Sequence, residues 1–276
     1  NDALGKAYDI LNVTEAVLPD TATMNALLKC AQTSSSPVET VRGIFEDMQT
    51  RCMPPDMISF NLAVKACLKA GDTIAAQDWM KLMKEQGFPP DNRTYCGVLN
   101  HWADQQSRSA AEHCEFILRQ MKESRPALVP NVFSYNIVLK AWTRIADSDA
   151  DNHVWRVYEQ MKAERVKPDY VTYTCLIPYF AQALTISNVI RADNLLVEME
   201  ENLKADVIHF NAVFQGWLDH SDTNKATRVL VRRIESFARG NKAVKPVPAN
   251  FHLLMISWLK KRKLEQATTF LLKMKE

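Results

Sequence analysis

Between Ile58 and Ala70 the apolar residues Phe60, Ala63, Val64, Cys67 and Leu68 recur at steps of three and four, the period of one helix face. Gly71-Asp72 interrupts the stripe, and a second begins at Ile74, with Ala75, Trp79, Leu82 and Met83 on one face. Gly87 and the Pro89-Pro90 pair stop it near Gln86, because glycine suits a helix C-terminus and proline cannot continue one. The pattern predicts two antiparallel helices. Helices of about 13 residues are marginal alone in water, so the pair must bury its stripes against neighbours.

The neighbours are copies of the same pattern. Pro19-Asp20 precedes Met24-Asn25, Pro55-Asp56 precedes Phe60-Asn61, and Pro90-Asp91 precedes Tyr95-Cys96. Pro130-Asn131 precedes Tyr135-Asn136, Pro168-Asp169 precedes Tyr173-Thr174, Ala205-Asp206 precedes Phe210-Asn211, and a degenerate copy ends in Phe251-His252. The residues after the aromatic are spaced by 36, 35, 40, 38, 37 and 41. A late methionine marks the second helix at Met48, Met83, Met121, Met161, Met199 and Met274; the sixth copy lacks it and has Ile234 nearby. Seven copies are expected at 21–56, 57–91, 92–131, 132–169, 170–206, 207–247 and 248–276, the last incomplete. Residues 1–20 read as the second helix of a preceding copy. The fold class expected is all-α, a right-handed superhelical solenoid of stacked antiparallel helix pairs. Neither end reads as a polar cap, so further chain or a partner is expected to cover one or both.

One position resists a packing explanation. Asn25, Asn61, Asn136 and Asn211 fall in the first turns of a helix where alanine costs less, and Thr174 and His252 are also polar. A buried amide needs partners, so the asparagines either bond to a neighbouring unit or present their amides outward. Three residues earlier stand Ile58, Arg93, Phe133, Val171 and Ile208; four later stand Lys29, Lys65 and Lys140. Offsets of three and four share a helix face. That face reads, in order, as a surface that can stack on a base, an amide that can read a base edge, and a cation that can meet a phosphate. The aspartate before each helix has a second, structural reading as an N-cap.

Bulk properties narrow the field. A net charge of +2 is too small for a general nucleic-acid binder, so any electrostatic surface must be local. The six cysteines form no CxxC pair and most lie in apolar helical patterns, so they read as reduced and buried rather than as a disulfide or zinc set. No apolar run is long enough to span a membrane. No HExxH, GxSxG, Walker or deaminase pattern occurs, so no catalysis, cofactor, metal or small-molecule substrate is expected. The trio His101, His113 and Cys114 is close in sequence but poor in ligands. The acidic stretch at 147–151 reads as a solvated loop, and Lys260 opens a basic run that reads as an exposed turn.

The combination of Pro-Asp, Tyr/Phe-Asn, a Leu/Val-rich first helix and a late Met at about 35 residues resembles the pentatricopeptide repeat in its plain form, over residues 21–276. The tetratricopeptide core W-x2-L-G-x2-Y is missing, and HEAT and armadillo units are longer. The resemblance implies one RNA base per repeat, read by the residue after the aromatic and the last residue of the same repeat. Asn25 with Asp56, Asn61 with Asp91, and Asn136 with Asp169 imply uracil; Thr174 with Asp206 implies guanine. Cys96 with Asn131, Asn211 with Val247, and His252 carry no base assignment. The implied target is UUNUG. The residues three before the reader match the family's base-sandwiching position. Lys69, Arg144 and Lys260 match a phosphate position at which Asp104 and Asp219 have the wrong charge. The family further implies an organelle, mitochondrion or chloroplast, with single-stranded RNA or rRNA and other protein subunits as partners. A structural subunit of a large organellar assembly is the alternative role.

Overall fold

The computed structural model describes residues 19–123, 128–145 and 149–261. Among the described residues there are thirteen α-helices and no strand: α1 (Thr21–Ala31), α2 (Pro37–Thr50), α3 (Met57–Lys69), α4 (Thr73–Glu85), α5 (Asn92–Ala103), α6 (Arg108–Glu123), α7 (Val132–Thr143), α8 (Ala150–Ala163), α9 (Tyr170–Ala181), α10 (Ile186–Asn202), α11 (Val207–Asp219), α12 (Thr223–Ala238) and α13 (Pro248–Lys260). None is long and apolar enough to cross a membrane. The helix expected within residues 1–20, and the last second helix with Met274, lie outside the described residues.

The helices form two compact units, Asn1–Ala141 and Trp142–Glu276. In the first, α1 pairs with α2, α3 with α4 and α5 with α6, while α3 also packs on α1 and on α5. In the second, α9 pairs with α10 and α11 with α12, while α9 packs on α11. In each unit the first helices of successive pairs therefore lie side by side.

Local chemistry ends these helices where the sequence predicts. The N–H of Gly71 bonds the Leu68 carbonyl and that of Asp72 bonds Cys67, with Gly71 at φ 79°. This left-handed C-cap is open to glycine without strain. Asp72 at once caps α4 by accepting from the Ala75 N–H at 2.9 Å.

The repeated landmarks are core knobs. Met48, Met83, Met121, Met161 and Met199 are fully buried, and so are Phe60, Tyr135, Tyr173 and Phe210 of the aromatic column. In the first unit Phe45 packs between Phe60 and Trp79, at centroid distances of 5.3 and 4.3 Å. In the sixth copy the sequence pointed to Ile234 as the stand-in for the methionine, and the structure corrects this. Arg233 is the buried residue, and it stands eleven positions after its N-cap Asp222, as Met83 does after Asp72.

The acidic stretch is a second correction. Residues 146–148 lie outside the description, but Asp151 belongs to α8 and is not a solvated loop residue. Its carboxylate accepts from the Tyr179 hydroxyl at 2.7 Å and from the Asn188 amide, joining α8 to α9 and α10. A carboxylate half-buried between helices is held there by such donors.

At Gly216 α11 lies against the end of α9 with no room for a side chain. A Cβ there would lie 2.6 Å from the Ala181 carbonyl oxygen and 3.3 Å from Val189 Cγ1. Alanine gains about 1 kcal/mol of helix propensity over glycine. Overpacking costs about 1–3 kcal/mol, and here the obstacle is backbone, which cannot rotate away. Gly216→Ala should lower the thermal midpoint by about 2–4 °C; a raised midpoint in a calorimetric scan would show that the helices are not in contact there.

Candidate nucleic-acid interface

Successive residues on a helix point about 100° apart. Burying the aromatic therefore turns the next residue toward the rim of the helix. Asn25, Asn61, Thr174 and Asn211 are half-buried there, and His252 is exposed. Asn136 and Cys96 sit deeper, at 8% and 7% exposure. Burial pushes the Cys96 thiol up to about 11, so it presents a neutral S–H.

The positions three residues earlier are uniform. Ile58, Phe133, Val171 and Ile208 are 54%, 56%, 56% and 55% exposed, and Arg93 is exposed too. A large apolar side chain left half in water in copy after copy is the informative kind of surface feature. Lys29, Lys65, Lys69, Arg144 and Lys260 are exposed and Lys140 is half-buried. In the first unit these features converge on a groove of about 1210 Å³ between α3 and α5, reaching the start of α7. Its wall includes Ile58, Asn61, Lys65, Arg93, Cys96 and Phe133, with Asp91 and Asn131 at the next helix starts.

Asn25, Asn61 and Asn211 bond to side chains of the neighbouring unit. The Asn25 amide donates to Asp56 at 3.2 Å, and its carbonyl accepts from the Ser59 hydroxyl at 2.7 Å. The Asn61 carbonyl accepts from the Thr94 hydroxyl. Thr174 Oγ1 lies 3.1 Å from His209 Nε2, and the Asn211 carbonyl accepts from the Asn250 amide at 3.2 Å. Apart from the cap residue Asp56, each of these partners is the third residue of the next first helix. Ser59, Thr94, Ser134, Thr172, His209 and Asn250 are all buried, although all are polar.

Sequence reasoning missed this column. Its signal is plain: a polar residue immediately before every aromatic of the repeat, from Ser59 to Asn250, and Thr23 before Met24 in the first copy. Four of those residues, Ser59, Thr94, Thr172 and His209, complete capping boxes. Asp56 accepts from the Ser59 N–H at 2.8 Å while Ser59 Oγ accepts from the Asp56 N–H at 3.1 Å, and Asp91, Asp169 and Asp206 are arranged alike. The aspartates are thus caps, and Asp56 is also the partner of the Asn25 amide.

Burial works to raise the Asp56 pKa, but the Ser59 N–H and hydroxyl with the Asn25 amide outweigh it and hold the carboxyl below its ordinary value. Burial opposes the same shift at Asp206, where the Tyr170 hydroxyl, His209 and backbone N–H groups prevail. Burial holds His209 below its ordinary value despite Asp206 at 2.8 Å.

The trio His101, His113 and Cys114 does not converge. His113 stacks on Trp102 at 4.4 Å, and Cys114 is buried with its thiol on the Leu99 carbonyl. Among the described residues no group of three metal-ligating side chains occurs.

Against known families, a PPR repeat family model matches residues 130–182 and a pentatricopeptide repeat domain model matches residues 43–105. The chain is 26% identical over 223 residues to a chloroplastic pentatricopeptide repeat-containing protein of Arabidopsis thaliana, covering 79% of this chain and 27% of that one. A second such Arabidopsis protein is 23% identical over 222 residues, covering 79% and 37%. This chain therefore spans about a third of the length of the relatives it matches. Among solved structures, it is similar to the maize pentatricopeptide repeat protein PPR10, with a TM-score of 0.57 at 19% identity, over 99% of this chain and 41% of that one. The same maize protein in complex with an 18-nt psaJ RNA element gives 0.52 at 19% identity, over 93% and 34%.

Two measurements check the column. Thr94→Val keeps the shape but removes the bonds to Asn61 and to the Asp91 N–H, so the chain should lose about 1–2 kcal/mol in urea denaturation. No loss would mean the column contributes nothing. Because folding holds Asp56, Asp206 and His209 below their unfolded pKa values, each stabilises the fold above its unfolded value and loses that contribution as pH falls through the folded one. The urea midpoint should decline on acidification from about pH 7, most steeply below about pH 4; a flat profile from 7 to 3 contradicts the assignment.

Proposed function

We propose that this chain, a pentatricopeptide repeat protein, is a sequence-selective adaptor for single-stranded RNA in an organelle, reading about one base per repeat and acting in RNA processing, stability or translation. The observation that carries the reading is the coincidence, copy after copy, of a half-exposed apolar side chain with a polar reader on the same helix face. A base can stack on the first and be read by the second, and the lysines in the same register can meet its phosphate. A solved relative of the same fold holds an RNA element, and a curated relative is named chloroplastic; both support the reading. The resemblance pairs Asn25 with Asp56, Asn61 with Asp91, Asn136 with Asp169 and Thr174 with Asp206, for the target UUNUG.

One observation favours a second reading. Both polar ends of the Asn25 amide are already engaged by the next repeat, and the chain carries a charge of only +2. A structural subunit of an organellar ribonucleoprotein, gripping rRNA or protein without a code, needs no more than that.

Fluorescence anisotropy with short RNAs separates the two. UUNUG should bind at least about 10-fold tighter than its scrambles. Its log–log salt slope should be near −3, for about four neutralised phosphates. Asn61→Ala with Asn136→Ala should weaken UUNUG binding by about 10-fold or more while the far-ultraviolet dichroism is unchanged. Equal affinity for scrambled RNA, or none for any, supports the structural role instead.

A further inference from the structure

The sixth repeat departs from the others in its second helix and at its last residue, and the third-position residue of the next helix bonds to the first of these. Its second helix carries Arg233 in the buried slot used elsewhere by methionine, its last residue is Val247 where other repeats have Asp or Asn, and the next third-position residue is Asn250. Arg233 is 1% exposed. Four oxygens surround its guanidinium: the Val244 carbonyl at 2.9 Å, the Lys245 carbonyl at 2.7 Å, Asn250 Oδ1 at 2.9 Å and Asn211 Oδ1 at 2.8 Å. No carboxylate pairs with it among the described residues.

This cluster settles the orientation of the reader. A guanidinium only donates, so the Asn211 atom facing Arg233 must be the carbonyl oxygen. The Asn250 amide donates to the same oxygen at 3.2 Å. Two donors occupy the acceptor capacity of that oxygen. The Asn211 NH2 group, on a half-exposed side chain, makes no hydrogen bond among the described residues. Val247 is 41% exposed and brings no acceptor. The sixth repeat thus offers a base a donor and nothing that accepts.

We propose that Arg233 is a positioning residue that sets the base preference of the sixth repeat. By holding the Asn211 carbonyl inward it leaves a donor-only reader, which takes a base whose central Watson–Crick ring nitrogen is an acceptor, cytosine or adenine, and rejects uracil and guanine. The chemistry is that of the base edges. Cytosine N3 and adenine N1 carry lone pairs that the NH2 group satisfies. Uracil N3 and guanine N1 carry a hydrogen that would be desolvated against a donor, with no carboxylate to receive it. Repeats with a terminal aspartate have an acceptor near the reader, as Asp56 is near Asn25. The inference rests on the proposal that these repeats read RNA singly, and it extends the implied target to UUNUG followed by C or A.

The test is one binding series on the intact chain, with four RNAs that differ only in the base after UUNUG and scrambled controls. C and A at the sixth position should bind about 10-fold tighter than U and G. Arg233→Met restores the side chain of the other copies, removes one of the two donors on the Asn211 carbonyl and removes the donor that orients Asn250, so both amides can turn; the preference at position six should collapse while UUNUG is still told from its scrambles. Val247→Asp supplies the missing acceptor at an exposed site and should turn the preference toward U and G; it carries the test if Arg233→Met does not fold. Selective binding of UUNUG with no preference for C or A at position six overturns this inference alone, as does Arg233→Met that folds and keeps the preference. Loss of selectivity for UUNUG itself overturns the RNA-reading proposal, and this inference with it.

Discussion

The constraint on which the structure turns is a side-chain hydrogen bond between one first helix and the next. Asn25 on one helix meets Ser59, the third residue of the next, and Ser59 is also half of the capping box that starts its own helix. One hydroxyl, that of Ser59, serves cap, register and reader at once. Each such bond is worth only about 1 kcal/mol net. It is buried, however, and a buried polar group left without its partner costs more than the bond gains. Helix spacing and reader orientation are therefore coupled: moving one helix along its neighbour strands a polar atom in the core.

Around that bond the apolar columns do the gross work. Aromatic residues from the first helices and methionines from the second fill the space between pairs, and the same burial rotates the reader to the rim. The half-exposed Ile58, Phe133, Val171 and Ile208 follow from the same geometry, one turn back along the helix. In the first unit the product is a groove whose wall alternates apolar, amide and cationic surface.

The amides have limited capacity, and that bears on recognition. A reader whose oxygen is held by the next helix can offer a base only its NH2 group. In the proposed reading, what receives a base's own hydrogen comes from the residue that ends the repeat. Asp56 and Asp206 there are held ionised by the donors around them, so they remain acceptors at neutral pH. The sixth repeat shows the consequence of removing that acceptor while tightening the hold on the amide, through a buried arginine compensated by carbonyl oxygens instead of a carboxylate.

Much of this was legible along the chain. Helical periodicity, glycine and proline punctuation and the recurring Pro-Asp and aromatic-polar pairs locate helices such as α3 and α4 to within a residue, because these signals act over one or two turns. The asparagines stood out because a poor helix former repeated in a helix needs a reason. The partners of Asn25 and Asn61 could not be read, because they lie more than thirty residues away and are chosen by how helices pack. For the same reason Ile234 looked like the missing core residue and Asp151 like a loop residue, whereas packing buried Arg233 and gave Asp151 two donors from other helices. Short-range pattern decided where helices start, stop and turn their apolar faces. Only the tertiary structure decided which polar atoms were left over for a ligand, because that depends on what each neighbour had already engaged.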